Sequence, residues 1–179
     1  MRKVILYIAS SLDGFIARKN GDIDWLEDPN YHLEDEDYGY YEFYNSIDTT
    51  LMGNKTYQQV LGFDVPFPYP GKTNYVFSRS QTGSDENVQF VNADVSEFVK
   101  SLKQGDGKDI WLVGGGELNS ILLSNGLIDK IILTMIPVKL GEGIPLFSGN
   151  VQISDFEMKG HKSYPNGFVQ HVYAKKPYL

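Results

Sequence analysis

Three consecutive glycines, residues 114–116, stand where a predicted strand gives way to a helix. The apolar run 110–113 precedes them, and Leu118 and Leu122 after them fall on one face of a helix that Gly126 would end. Glycine lets a ligand approach the backbone closely, and the first N–H groups of a helix lack partners within it, so this turn suits a phosphate. The spacing matches neither Gly-x-Gly-x-x-Gly nor a P-loop, and a plain tight turn is an equal alternative.

Two further stretches could bind phosphate. Gly53 ends a predicted strand over residues 49–53, and Lys55 and Thr56 stand at the start of the helix that follows, where both could hydrogen-bond phosphate oxygens. The cluster 78–80, Ser-Arg-Ser, comes directly after a predicted strand over residues 72–77. Taken alone, that cluster is explained as well by an ordinary polar turn.

Asp37 is the candidate proton donor. Aromatic residues recur at helical spacing from Tyr40 to Ile47 and predict a helix over residues 34–47 with one buried stripe. Asp37 falls on the same inward face, where neighbouring aromatic surface would raise the pKa of its carboxyl, as a proton donor near neutral pH requires. Alternatively, the four acids that end at Asp37 only favour the helix dipole. Asp13 is a second candidate carboxylate, although an Asp-Gly turn explains it more simply.

The elements that must position these residues alternate between strand and helix. Residues 3–10 are almost all apolar, which is typical of a central strand covered on both faces, and residues 129–138 form another β-rich run. Residues 152–162 and 168–175 flank Pro165-Asn166-Gly167 and predict a closing antiparallel hairpin. The pattern predicts an α/β fold of three layers, with a mixed, mostly parallel sheet of about eight strands flanked by about four helices.

Composition limits the partners. The chain of 179 residues is long enough for one domain, residues 1–179, with a full core. Its net charge of −7 argues against nucleic acid or an anionic membrane as a partner, and no stretch reaches membrane-spanning length. The absence of cysteine fits a cytoplasmic location, and the three histidines lack metal-ligand spacing, so no metal is expected.

Together these motifs resemble the dihydrofolate reductase superfamily, in the branch that contains the C-terminal reductase domain of the bifunctional riboflavin-biosynthesis deaminase-reductase. The resemblance extends over almost the whole chain and depends on the order of its motifs. They are the apolar first strand ending at Ala9, the segment 11–17 with Trp25 beyond it, and the runs 51–57, 76–80, 113–118 and 140–147.

The resemblance implies an NADPH-dependent reductase. In such a protein the glycine turn and the residues after Gly53 hold the cofactor pyrophosphate, the Ser-Arg-Ser arm receives the 2′-phosphate, and the nicotinamide lies near the first strand. Counting back from Met52-Gly53 to the family's helix carboxylate reaches Asp37. The implied cofactor residues are Ala9, Ile16, Gly53, Asn54, Lys55, Thr56, Ser78, Arg79, Ser80, Gly114, Gly115, Gly116, Glu117 and Leu118.

The expected reaction is hydride transfer to a C=N or C=O carbon of a pteridine or ribosylaminopyrimidine-like small molecule, with Asp37 or a water that it orients supplying the proton. Trp25, Tyr41 and Tyr44 would line the substrate pocket by stacking, with Asp13 nearby. A homodimer is plausible for this branch.

Three departures keep alternatives open. Asn54 stands where dihydrofolate reductases usually have arginine, and Val113 stands where the deaminase-reductase domain commonly has glutamate. That domain's substrate-phosphate loop also has no counterpart. The alternatives are therefore a true dihydrofolate reductase and a non-catalytic nucleotide-binding module on the same fold.

Overall fold

A computed structural model describes residues 1–177; Tyr178 and Leu179, which belong to the predicted domain 1–179, lie outside the described residues. Four α-helices are present: α1 (Tyr40–Ser46), α2 (Asn54–Leu61), α3 (Val95–Gln104) and α4 (Gly116–Ser124). Two short 3-10 helices cover Asp24–Leu26 and Pro29–Tyr31. The strands are β1 (Val4–Ser11), β2 (Phe15–Ala17), β3 (Ile47–Gly53), β4 (Thr73–Phe77), β5 (Gly83–Ser84), β6 (Gln89–Val91), β7 (Asp109–Gly114), β8 (Lys130–Ile136), β9 (Ile144–Pro145), β10 (Phe156–Ser163) and β11 (Val169–Lys175).

Nine of these strands form one sheet, in the order β10-β11-β8-β1-β7-β3-β4-β6-β5, and β2 pairs with β9 in a second, two-stranded sheet. The strands from β8 to β6 in that order are parallel, whereas β11, β10 and β5 run antiparallel to their neighbours. The carboxyl ends of the parallel strands therefore meet at one edge, which we call the C-terminal edge. All three predicted phosphate-binding stretches follow strands that end there.

Helices cover both faces of the large sheet. Alternate residues of the central strands separate the two cores: Leu6 and Leu112 pack with α3 and α4, while Ile5 and Trp111 pack with Phe43 of α1. Helix α2 contributes Tyr57 to a third cluster that shares Val113 and Tyr69 with the α1 cluster. The three-layer α/β arrangement predicted from the sequence is therefore present, with the C-terminal hairpin formed by β10 and β11.

The helix predicted over residues 34–47 is wrong at both ends. It begins only at Tyr40, because Tyr38 and Gly39 adopt positive φ angles of 56° and 79° that an α-helix cannot contain. Ile47 is already the first residue of β3. The acidic stretch is therefore a loop, and we call residues 34–39 the acidic loop. None of the helices within residues 1–177 could span a lipid bilayer.

Candidate functional site

The glycine turn forms a narrow corner at the end of β7. An added Cβ at Gly116 would lie 2.2 Å from the carbonyl oxygen of Pro145, so β9 passes directly over this residue. At Gly115 the added Cβ would lie 3.3 Å from Thr56 Oγ1 and 3.9 Å from Ile16 Cδ1. The peptide bond between Gly114 and Gly115 is cis. The turn therefore contacts the start of α2 on one side and β2 on the other.

The two helices that start at this corner have no side-chain cap. Gly53 is the N-cap residue of α2 and Gly115 that of α4, and no cap side chain accepts a hydrogen bond from the first N–H groups of either helix. The first N–H groups of both helices thus remain available to an outside acceptor. Lys55 stands exposed in the first turn of α2, where a cation opposes the helix dipole unless an anion lies nearby. This donor set fits the pyrophosphate of a nucleotide.

The Ser-Arg-Ser arm reaches the same corner. Ser78 is buried, and its Oγ accepts hydrogen bonds from the backbone N–H groups of Ser80 and Gln81, which fixes the turn. Arg79 points outward with a 92% exposed side chain and donates to Glu117 of α4 at 2.8 Å. The guanidinium therefore joins the arm to the glycine turn and keeps further N–H donors free for a phosphate.

The remaining predicted cofactor residues divide between backbone and side-chain roles. Leu118 is buried in the core shared by α3 and α4, so only its backbone faces the corner. Asn54 has a buried side-chain oxygen without a partner among the described residues. Ala9 is partly accessible at the end of β1, next to Thr134 of β8. The structure thus brings the predicted cofactor residues together along the C-terminal edge.

Asp13 has a structural role. Its carboxylate accepts hydrogen bonds from Ser11 Oγ and from the backbone N–H groups of Leu140 and Gly141. The bond from Ser11, followed by those from the loop backbone, lowers the pKa of Asp13 to about 2. The carboxylate therefore connects the turn after β1 to the loop before β9.

The expectation of a raised pKa at Asp37 is wrong. The residue is exposed in the acidic loop, and its two carboxylate oxygens accept hydrogen bonds of 2.9 Å from the backbone N–H groups of Gly39 and Tyr41. These bonds, chiefly that from Tyr41, lower the pKa of Asp37. Its charge still acts on the site, because it adds to the burial that raises the pKa of Tyr7 to about 12. Its role as a proton donor remains a prediction.

The three aromatic residues predicted to line a substrate pocket differ in placement. Trp25 is buried against Ile136 and Phe168, and its indole Nε1 has no partner among the described residues. Tyr44 is partly buried and donates from its hydroxyl to the carbonyl of Pro70. Tyr41 is 74% exposed and lies outside the aromatic clusters.

A partly uncovered area of the central sheet lies beside the corner. Strands β1 and β7 have neighbours on both sides, yet Tyr7, Ala9 and Val113 remain partly accessible. Partly buried tyrosines from α1 and from the proline-rich loop, residues 63–71, pack on the same cluster as Tyr7 and Val113. We call this set the aromatic face; it consists of Tyr7, Ala9, Tyr40, Tyr44, Tyr69 and Val113.

Neutral polar groups adjoin the aromatic face. The Tyr7 hydroxyl donates to the carbonyl of Tyr38 at 3.1 Å, and Gln170 Nε2 donates to that carbonyl at 3.0 Å and to Thr134 Oγ1 at 3.1 Å. Neither this network nor Tyr69 is predicted from the sequence. Tyr7 and Thr134 could have been noticed as polar atoms within otherwise apolar strands, whereas only tertiary structure brings Gln170 to them. No group of three or more His, Asp or Glu side chains in residues 1–177 could hold a metal ion.

The chain is similar to known proteins over almost its whole length. Residues 2–170 match the family model described as the RibD C-terminal domain. A Bacillus subtilis relative, described as uncharacterized protein YwjB, is 42% identical over 172 residues, which cover 95% of this chain and 97% of the relative. A solved structure of a putative riboflavin biosynthesis protein from Shewanella sp. PV-4 is 30% identical, with a TM-score of 0.85 over 98% of this chain and 99% of the other.

Two more distant structures establish the fold type. A deaminase/5-amino-6-(5-phosphoribosylamino)uracil reductase from Thermotoga maritima superposes with a TM-score of 0.72 at 18% identity, over 97% of this chain and 56% of the other. Dihydrofolate reductase from Enterococcus faecalis, complexed with NADP(H), superposes with a TM-score of 0.70 at 16% identity, over 98% of this chain and 97% of the other. The fold is that of dihydrofolate reductase.

Proposed function

Because the chain belongs to the RibD C-terminal domain family, we propose that it is an NADPH-dependent reductase of a pteridine or ribosylaminopyrimidine-like small molecule. The observation that carries this proposal is the meeting of three phosphate-suited stretches at one edge, where a Cβ at Gly115 would lie 3.3 Å from Thr56 Oγ1 and where Arg79 donates to Glu117. A sheet edge with two uncapped helix starts and an exposed guanidinium suits a nucleotide with a terminal phosphate.

The cofactor supplies a hydride from C4 of its nicotinamide. The backbone of residues 114–118 and the start of α2 with Thr56 would bind its pyrophosphate, and Arg79 with its flanking serines would bind the 2′-phosphate. Ala9 and Ile16 would limit the position of the nicotinamide ring. These are the residues available at the corner, and the similarity in fold to a dihydrofolate reductase complexed with NADP(H) supports the arrangement.

The substrate ring would lie on the aromatic face, where tyrosine rings stack on it and exclude water. Asp37 is our candidate for moving the proton. Because its pKa is lowered, the carboxylate is ionised at neutral pH and has to take up a proton from solvent in each turnover. Turnover should therefore increase as the pH falls.

The test is NADPH oxidation with a panel that contains 5-amino-6-(5-phosphoribosylamino)uracil, its form without phosphate, dihydrofolate and a dihydropterin. With NADPH that carries deuterium at both C4 positions, mass spectrometry should find one deuterium in a reduced product. Sole turnover of dihydrofolate would identify a true dihydrofolate reductase. Nucleotide binding with no labelled product from any substrate would contradict the reductase proposal and leave a binding module.

A further inference from the structure

The aromatic face offers a substrate ring aromatic surface and neutral hydrogen-bonding groups. Tyr7, Tyr40 and Tyr69 pack around Trp111, with ring centroids between 5.0 and 6.3 Å from the indole. On the side of Ala9, Trp25 carries a buried indole N–H without a partner among the described residues, at 4% exposure of the residue. Such a donor suits the carbonyl or ring nitrogen of a heterocycle.

The cation nearest the tyrosines is already engaged. Lys72 Nζ donates at 2.8 Å to the carbonyls of Tyr44 and Ile47, which lie at the end of α1, and stands 4.1 Å from the centre of the Tyr44 ring. Moving it to a ligand would leave two carbonyls at the helix end without this donor. Lys72 therefore serves the structure of α1 and is poorly suited to bind a phosphate or carboxylate of a substrate.

Lys162 approaches the acidic loop from the hairpin. Its Nζ lies 3.9 Å from the carboxylate of Glu36 and 4.4 Å from the centre of the Tyr164 ring. Lys162 also contributes to the lowered pKa of Asp37, so its positive charge interacts with the carboxylates of both Glu36 and Asp37. Arg18 and Lys19, near β2, are paired with Asp24 and Glu142 respectively.

The acidic loop brings negative charge beside the aromatic face, since its Tyr38 carbonyl accepts a hydrogen bond from the Tyr7 hydroxyl. The acidic loop carries four carboxylates in succession, residues 34–37, and Glu42 adds a fifth in the first turn of α1. At least one of them, Asp37, is near enough to Tyr7 to affect the pKa of its hydroxyl. A phosphate or carboxylate attached to a ring on this face would be repelled, whereas an uncharged group would not.

From the aromatic surface, the engaged lysine and the acidic loop, we propose that the substrate is a planar heterocycle without a phosphate or carboxylate, such as a ribosylaminopyrimidine or a pterin that lacks its anionic tail. The inference rests on the proposed reductase function and narrows its substrate class. It separates this chain from a reductase whose substrate is held by its phosphate.

The experiment compares 5-amino-6-(5-phosphoribosylamino)uracil with its form without phosphate, and dihydrofolate with a dihydropterin that lacks the glutamate-bearing tail. We expect kcat/KM to be at least about tenfold higher for the uncharged member of each pair, since like charges oppose binding of the other. Added salt should increase kcat/KM for the anionic member and leave the uncharged member almost unchanged. Equal or better use of the anionic members, or a decrease of their kcat/KM with salt, would overturn the inference.

A matched pair of variants tests the source of the repulsion. Asp35→Asn removes one charge from the acidic loop at a left-handed backbone position that asparagine tolerates. It should raise kcat/KM for the phosphorylated uracil by about two- to threefold, with little change for the form without phosphate. Asp106→Asn, in the loop before β7, makes the same charge change at the opposite edge of the sheet and should change neither value. Equal effects of the two variants would contradict a local repulsion.

Binding measurements separate this inference from the reductase proposal. Calorimetric titration of both uracils into the protein saturated with NADP⁺ should give the smaller Kd for the uncharged one. If NADPH binds but no substrate is reduced, the reductase proposal fails and this Kd comparison still decides the substrate class. Equal binding, tighter binding of the phosphorylated form, or no binding of either uracil or of the dihydropterin that lacks the glutamate-bearing tail would overturn the inference.

Discussion

Backbone N–H groups hold both candidate carboxylates of the site. Asp13 accepts from the loop before β9, and Asp37 accepts from the first turn of α1. Hydrogen bonds to the charged form of a carboxyl lower its pKa, which is the direction found at both residues. The two differ in position, because Asp37 lies near the hydroxyl of Tyr7 whereas Asp13 fastens two loops.

Asp37→Asn should lower kcat about a hundredfold at neutral pH, because the amide cannot relay a proton, while the Kd for NADPH stays nearly the same. The wild-type kcat should rise from about pH 8 to about pH 5, since the low pKa of Asp37 leaves little of the protonated form. The variant should lose that pH dependence. Steady-state kinetics of both proteins, with thermal melts as a folding control, would show this. An unchanged kcat in the variant would show that Asp37 is not the proton donor.

Asp13→Asn should make stability less dependent on pH. The pKa of Asp13 falls from 3.8 to about 2 on folding, so its contribution is present above about pH 4 and is lost as the pH falls through 2. The difference in Tm between wild type and variant should therefore be large at neutral pH and small near pH 2. Asp106→Asn serves as the control. A Tm difference that persists unchanged at pH 2 would show that the ionised carboxylate is not what stabilises the loops.

At the scale of elements, the corner is formed where α2, α4, β2 and β9 meet the end of β7. Asn119 of α4 is fully buried and donates to the carbonyl of Leu146, and the hydroxyl of Ser120 accepts from the N–H of Ser148. These bonds hold the segment after β9 against α4. Glycine at position 116 allows that contact, and glycine at position 115 leaves space between Thr56 and Ile16.

Alanine at these two positions should separate stability from nucleotide binding. Gly115 has extended backbone angles that alanine can adopt, so Gly115→Ala should fold normally but weaken NADPH binding about tenfold, because its methyl group occupies the space beside Thr56. Gly116→Ala places a Cβ against the carbonyl of Pro145 and should cost about 1–3 kcal/mol of unfolding free energy. Urea unfolding and calorimetric titration measure the two effects. Unweakened binding in Gly115→Ala would contradict the proposed position of the pyrophosphate.

At the scale of the molecule, the parallel strands explain why the sequence predicts the positions of the three phosphate-suited stretches well. The runs before Gly53, Ser78 and Gly114 are strands. Helix α4 ends at Ser124, and Gly126, with a positive φ of 65°, follows it, with backbone bonds from Gly126 to Leu123 and from Leu127 to Leu122. Short apolar runs with glycine boundaries are local signals. They predict the elements and, once the strands are parallel, their common edge.

The features that could not be predicted depend on backbone angles in the acidic loop and on contacts between residues far apart in the sequence. Aromatic spacing favours extending α1 towards residue 34, but the positive φ angles of Asp35 and Tyr38 prevent this, and such angles are rare for residues other than glycine. The partners of Asp37 are backbone groups, so its lowered pKa follows from that loop geometry rather than from residue type. Gln170 joins Tyr38 only because β11 pairs with β8.

We propose that this acidic chain binds NADPH at its C-terminal edge through local donors. Titration of NADPH and of NADH, followed by quenching of Trp25 and Trp111 fluorescence, tests it most directly, with Arg79→Gln as the matched variant. We predict saturable binding, tighter for NADPH than for NADH, and a preference that Arg79→Gln reduces about tenfold while NADH binding hardly changes. Absence of binding by either nucleotide, or a preference for NADPH that survives the loss of Arg79, would contradict the account.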